Sequence, residues 1–384
     1  MTFKSRLTIL LFGIWLGLAS AVRAEWPPVD SWTDFRRGSQ LQGVAFGKLP
    51  DDLRKLWEIP SKDGITSTPT IVEGKVYVGC LTGELLCLSL KDGSTLWTYR
   101  SQPDAKPNQF MPGFASSIAV TEELVFAGDE DGNFHAVDRK TGERRWLFEA
   151  KGQITGGPNL WGHNILLGSH SGHLVCLKQS TGDVVWDFDA QGPVNATPVV
   201  AGNLTILTGC DKPRLWMVDL DKGSSAGEMS LGEKLLVTSA AARDNCIYMA
   251  QNSQVTALDW KTKKVLWEAP SGGDQKNDSS PAVTEDEVIV GAPDKAVRCF
   301  ERRTGQERWT FKTRGRVVAC PVVAGDRVYV GSVDKHLYAI SLKDGHSVWE
   351  ENVSYPVEGS MAIAEGCLVV GTTRGGGILC FGKK

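Results

Sequence analysis

The residue types that could do chemistry are scattered along this chain, and their spacing decides how each is read. His170-Ser171-Gly172-His173, with His163 upstream, has a spacing that could hold a divalent metal. Gly172 marks a turn between the two histidines, however, and His163 falls at the opposite end of the intervening strand. A solvated turn is the expected reading, because a metal site wants more ligands and partners that orient them. Arg374-Gly375-Gly376-Gly377 is glycine-rich, but it joins two strand-like runs and precedes no helix, so a phosphate loop is not expected. The nine cysteines include no adjacent pair, and no C-x-x-C-H haem site is present. No Ser/His/Asp or Cys/His set has a spacing that would assemble a nucleophile. The chain reads as a non-enzyme.

The elements that must position any site come from a repeat. A tryptophan closes the same short phrase again and again, as in Ala136-x-Asp138-x-x-Thr141-Gly142-x-x-x-Trp146. The series is Trp57, Trp97, Trp146, Trp186, Trp267, Trp309 and Trp349, with a weak copy hidden in the long gap after Trp186. There Met229 stands near the expected tryptophan. A period of about forty residues means one supersecondary unit stacked many times. Within a unit, Thr68–Val72, Lys75–Gly79, Leu85–Leu88 and Thr95–Trp97 are short runs rich in Val, Ile and Leu, separated by Gly turns. Four antiparallel strands per unit describe a propeller blade, and the count gives an all-β, eight-bladed β-propeller. The segment 53–60 carries Trp57 with no strands before it, and the chain ends in three strands with no closing tryptophan strand. The N-terminal strand therefore completes blade eight, which removes a free sheet edge.

The tryptophans are expected in the core. Each blade has two apolar faces that neighbours must cover, and indole rings supply much of that area. Cys87, Cys176, Cys299 and Cys380 share a slot that Ala136, Ala257 and Ala339 fill in other blades, so they read as small buried residues and not as a disulfide framework.

Aligning the inner strands on their prolines shows where polar groups converge. Small residues precede each proline, as eight strands crowding an axis require. Around them Gln153, Asn195, Lys276, Asp278, Arg316 and Glu358 are expected to ring one mouth of the channel, either as a ligand or peptide site or as a hydrated funnel of paired charges. The loop Gln102–Gly113 is a second candidate for binding.

Residues 1–24 read as a secretory signal peptide. Lys4 and Arg6 precede the apolar run Leu7–Ala19, and Val22-Arg23-Ala24 fits a cleavage site. Cleavage would take the formal charge from −3 to −6, which argues against general nucleic-acid binding. The first cysteine is Cys80, so no lipid anchor follows the expected cleavage site. Residues 25–52 read as a leader outside the ring. Truncation through residue 50 is expected to cost much less than truncation through residue 60.

The tryptophan phrase resembles the docking motif of the quinoprotein, or PQQ-like, repeat family. The resemblance covers Leu53 to Lys384, and Trp32 through Gly38 with Gly43 looks like the leader of exported members. It implies that each tryptophan packs between neighbouring blades. In size, blade number and export the chain is most similar to the BamB-like members, non-catalytic scaffolds of outer-membrane protein assembly. It implies an exported scaffold that binds a protein or peptide partner in the cell envelope. The dehydrogenase branch implies PQQ held against a disulfide of adjacent cysteines, with Ca²⁺ on carboxylate and amide oxygens. The chain has no such cysteines and no long insertions, so a PQQ cofactor is not expected. The alternatives are a PQQ-dependent oxidoreductase and a periplasmic sensor or carbohydrate-associated module.

Overall fold

The computed structural model describes residues 26–106, 109–209, 214–232, 238–273 and 279–384. Its 32 strands form eight four-stranded antiparallel sheets, which are the blades of a closed propeller. Each blade runs outward from an inner strand of two or three residues, such as Thr70–Val72, to an outer strand such as Thr95–Arg100. The inner strands are short and mostly buried, because little width is available near the axis. The outer strands alternate exposed and inward residues, as a sheet covered on one side should.

The ring closes as the repeat predicts. Arg54–Pro60 pairs antiparallel with Gly377–Gly382, with Trp57 opposite Cys380, and completes the sheet of Cys367–Gly371 and Ala362–Ala364. The first and last strands are tied into one blade, so none of the eight described sheets is left one strand short.

The tryptophans stitch each blade to the next. Counting the sheet that starts at Thr70 as blade 1, Trp146 of blade 2 (Ala119–Glu149) donates from Nε1 to Gln179 O of blade 3 (Asn159–Asp189) at 3.0 Å. Trp57, Trp97, Trp186, Trp267 and Trp309 make the same bond to Leu90, Arg139, Leu220, Arg302 and Leu342. Each of these indoles lies on the glycine of the next blade's turn. A Cβ on Gly182 would meet the Trp146 ring at 2.7 Å, and one on Gly93 would meet Trp57 at 2.9 Å. The turn glycine therefore does more than supply a positive φ; it makes room for the neighbouring blade's indole. Trp349 faces blade 8, where the chain ends replace that turn, and packs edge-on against Phe381.

Cross-strand register explains the shared cysteine slot. Cys87, Cys176, Cys299 and Cys380 lie directly opposite Trp97, Trp186, Trp309 and Trp57, and the alanines of the other blades lie opposite theirs. A small residue is needed beside so large a partner. A bulge follows the pair in each case and bends the outer strand. The eight cysteines among the described residues are free thiols.

Blade 4 departs from the rule, and not at the residue the repeat suggested. The tryptophan slot, opposite Met217, is filled by Gly227, with Met229 two residues further on. Lys263 stands where blade 5 should present its turn glycine, and its side chain lies against Gly227. The small slot has become Met217. Three substitutions thus exchange volumes across one joint: a large residue became small, and its two small neighbours became large.

The leader, described from residue 26, is packed against the ring. From Trp32 onward it winds once around one mouth of the channel and hydrogen-bonds to the inner strands in chain order. Trp32 exchanges bonds with Ile71, and Thr33 O accepts from Val120 N. Ser39 O accepts from Val200 N and from Asn159 Nδ2. Gln40, Gln42 and Gly43 then serve Ala242, Val283 and Val323. Trp32, Leu41, Ala45 and Leu49 are each buried to within a few per cent. The inner strands otherwise leave these amides unpaired, and a circling segment satisfies them.

Candidate functional site

The axial well is built by the small residues that precede the inner-strand prolines. They are hydroxyl-bearing for a reason that size alone does not give. Gly157 N donates to Thr197 Oγ1, Thr197 N to Ser239 Oγ, and Ser239 N to Ser280 Oγ, at 2.8 to 3.0 Å. Ser280 N and Cys320 N continue to Cys320 Sγ and Ser360 Oγ, both at 3.2 Å. Each main-chain amide from blade 3 to blade 7 is thereby bonded to the side chain of the next blade. The bonds form a ladder around the axis.

The leader floors this well. Between Thr33 and Ser39 it dips to the axis, where Phe35 lines the well. Arg36 is 1% exposed and donates to Pro281 O at 2.7 Å, Pro321 O at 3.0 Å and Leu41 O at 3.3 Å. Burial lowers its pKa, and the Cys320 thiol is the group that opposes this. The result is a blind well of about 200 Å³, open on the side away from the leader and lined by Ser and Thr hydroxyls.

Of the six rim residues expected from sequence, two line the well. Asn195 and Glu358 line the well. Lys276 and Asp278 lie outside the described residues. Gln153 and Arg316 are not in the lining: Gln153 O accepts from His170 N, and Arg316 O accepts from Ser332 Oγ and Val333 N. The segments that enter the inner strands are bent, with Lys151, Gln191 and Ser354 at positive φ. Arg374, from the glycine-rich turn, approaches Glu358 at 3.6 Å and was not foreseen as its partner.

The histidines do not converge. His173 Nδ1 meets Asp187 at 2.7 Å, and His170 Nε2 meets Thr155 at 3.4 Å. His163 lines a separate cavity of about 740 Å³ on the leader side, with Trp26, Asp34 and Leu160. Burial pushes the Asp34 carboxyl up to about 6, against hydrogen bonds from Gly38 N and Thr33. Sequence reasoning also missed a buried chain across the joint between blades 1 and 2. Tyr99 Oη bonds His135 Nδ1 at 2.8 Å, and His135 Nε2 bonds Asp129 at 2.9 Å. His135 is 1% exposed and Phe114 packs on its edge, so the chain is closed to a substrate. Among the described residues, no three His, Cys, Asp or Glu side chains converge as metal ligands would. Of the loop Gln102–Gly113, Phe110 is 77% exposed, while Ser101 and Glu130 anchor its end through Pro112 O and Gly113 N.

The eight docked blades define a propeller built on tryptophan-docking repeats. The chain belongs to the family described as outer membrane protein assembly factor BamB, whose profile matches residues 50–147, 130–280 and 251–381. The crystal structure of BamB from Moraxella catarrhalis superposes with a TM-score of 0.70 at 18% identity, covering 87% of this chain and 98% of that one. The chain is 25% identical over 96 residues to the BamB of Xanthomonas campestris, covering 25% of this chain and 24% of that protein. It is 33% identical over 104 residues to a 1-butanol dehydrogenase (cytochrome c) of Thauera butanivorans, covering 25% of this chain and 15% of the dehydrogenase. The matched stretches thus span less than a quarter of either curated relative.

Proposed function

We propose that this protein is an exported, non-catalytic scaffold that binds a protein or peptide partner in the cell envelope, in the manner of BamB. The observation that carries the reading is the outer rim. Leu96, Val184, Leu266 and Val348, on the outermost strands of four blades, are each about half exposed. Together with the free main-chain groups of those edges they offer sites for an added strand. Phe110 on the loop Gln102–Gly113 is a further exposed apolar contact, and Asn195 and Glu358 supply polar groups in the lining of the well.

The dehydrogenase relatives favour a second reading, a PQQ-dependent oxidoreductase. The residues of this chain do not fit the quinone site that reading needs. The sequence has no adjacent cysteines, and the described lining of the well is mostly hydroxyls and small side chains, with Phe35, Asn195 and the single carboxylate Glu358. Export itself rests on residues 1–24, which lie outside the described residues. Among the described residues, no helix is long and apolar enough to cross a membrane.

Affinity capture of residues 25–384 from envelope extract, followed by identification of the bound proteins, tests the scaffold reading. Barrel-assembly components in stoichiometric amounts are the expected result. Stoichiometric binding of added PQQ with Ca²⁺ and dye reduction with simple alcohols would overturn it.

A further inference from the structure

The joint between blade 4 (199–230) and blade 5 (241–270) carries no indole, and a cavity lies in it. Gly227 fills the tryptophan position, and the Lys263 side chain lies against it. Beside them a pocket of about 180 Å³ opens between the outer strands of the two blades. Ser230, Val265 and Glu268 stand exposed at its mouth. Met249, Gln251, Thr256 and Leu258 line it from within and are each at most 2% exposed. Its walls are soft. Met217, Met229 and Met249, three of the six methionines of the chain, belong to the apolar cluster around it. Methionine adapts to the shape of what packs on it.

One polar group inside this pocket lacks a partner. Gln251 Oε1 meets no donor among the described residues, and Gln251 Nε2 has only Met249 Sδ at 3.8 Å. A buried acceptor without a donor is costly, and a ligand that brings one relieves the cost. The Thr256 hydroxyl does not serve, since it donates to Glu268 Oε1 at 3.4 Å. The pocket therefore suits an apolar body with one donor at its tip, which is the form of an indole or phenol ring. Its mouth is continuous with the exposed apolar rim, for Val265 is 45% exposed and Leu266 next to it 52%. The facing edge of blade 4, Ser225–Ser230, carries Glu228 as its one charged side chain, so little bars an added strand there. A segment laid along this edge places a side chain at the opening.

We propose that this pocket receives a tryptophan or tyrosine side chain from an extended partner segment, with its N–H or O–H donated to Gln251 Oε1. The partner's ring then stands in the joint that the chain itself leaves without an indole. The inference rests on the scaffold reading for the source of the ring, and not for the pocket.

NMR of residues 25–384 with labelled methionine methyls, titrated with indole and with N-methylindole, tests it. Saturable shifts of the Met229 and Met249 methyls are expected, with Met111 and Met361 unmoved. N-methylindole lacks the donor and should bind about tenfold more weakly. Gln251→Leu should weaken indole about tenfold and erase the difference between the two ligands. Its melting temperature should be no lower than the parent's, because an unpaired buried acceptor has been removed. Val265→Lys puts a charge at the exposed mouth and should weaken both indole and the partner recovered by affinity capture. No saturable shift at Met229 and Met249, equal affinity for the two ligands, or a partner held equally well by Val265→Lys would each overturn the proposal. Indole shifts with no partner captured by the unmodified chain would instead overturn the scaffold reading, and with it a partner as the source of the ring.

Discussion

The two mouths of the channel are built from the same eight inner strands and end in opposite states. On one side a single segment, Trp32–Ala45, circles the axis and satisfies the inner-strand amides. On the other side blades satisfy one another through Thr197, Ser239, Ser280, Cys320 and Ser360, and the well stays open. The difference teaches that a propeller ring leaves polar main-chain groups at its axis which must be met somehow. Meeting them from outside closes a mouth; meeting them between blades keeps it open and lined with hydroxyls.

The largest effect should come from breaking the closed side. Deleting residues 26–49 removes the circling segment and the buried Trp32, Leu41, Ala45 and Leu49. At about 1.5–3 kcal/mol for each large apolar side chain, the loss exceeds that of any single core substitution. Calorimetric melting should show a large drop or loss of the cooperative transition. An unchanged melt would show that the leader merely rests on the ring.

Trp146→Ala sets the scale of a blade joint, which both mouths share. It should cost roughly 3–5 kcal/mol by chemical denaturation. A variant of native stability that has lost partner capture would mean that the indole is a binding platform.

Asp34 sharpens the contrast through pH. Its folded pKa of about 6 lies above the ordinary carboxyl value of 3.8, because the group is buried. The protonated form is favoured in the folded state, so the associated stability is present below pH 4 and lost as pH rises through 6. The difference corresponds to about 3 kcal/mol. Asp34→Asn should flatten the stability profile between those values and raise stability above pH 6. A variant with the same pH slope as the parent would place the titration elsewhere.

The smallest effect belongs to the open side. Arg316 is exposed and outside the well, so Arg316→Glu should shift stability by less than about 0.5 kcal/mol. If the open face receives the partner, the same change should weaken capture. Intact capture with both Arg316→Glu and Glu358→Lys would move the contact to the outer strands or the loop bearing Phe110.

The sequence by itself determined the ring. A period of about forty residues, four apolar runs per period, an orphan Trp57 and a three-strand tail leave one closed arrangement, and Trp57 does pair opposite Cys380. Local pattern suffices there because each blade contacts only its neighbours. It also marked the cysteine slot as small, though only register shows the cause, an indole directly across the ladder. What the tertiary structure alone decided involves residues far apart in the chain. Gly227 and Lys263 exchange volumes across a joint, and no local phrase links them. Arg36 binds carbonyls 245 and 285 residues away. Periodicity records which face of its own sheet a side chain takes. It does not record which distant main-chain group is left without a partner, and at the axis of this ring that shortage fixes the leader, the hydroxyl ladder and the well.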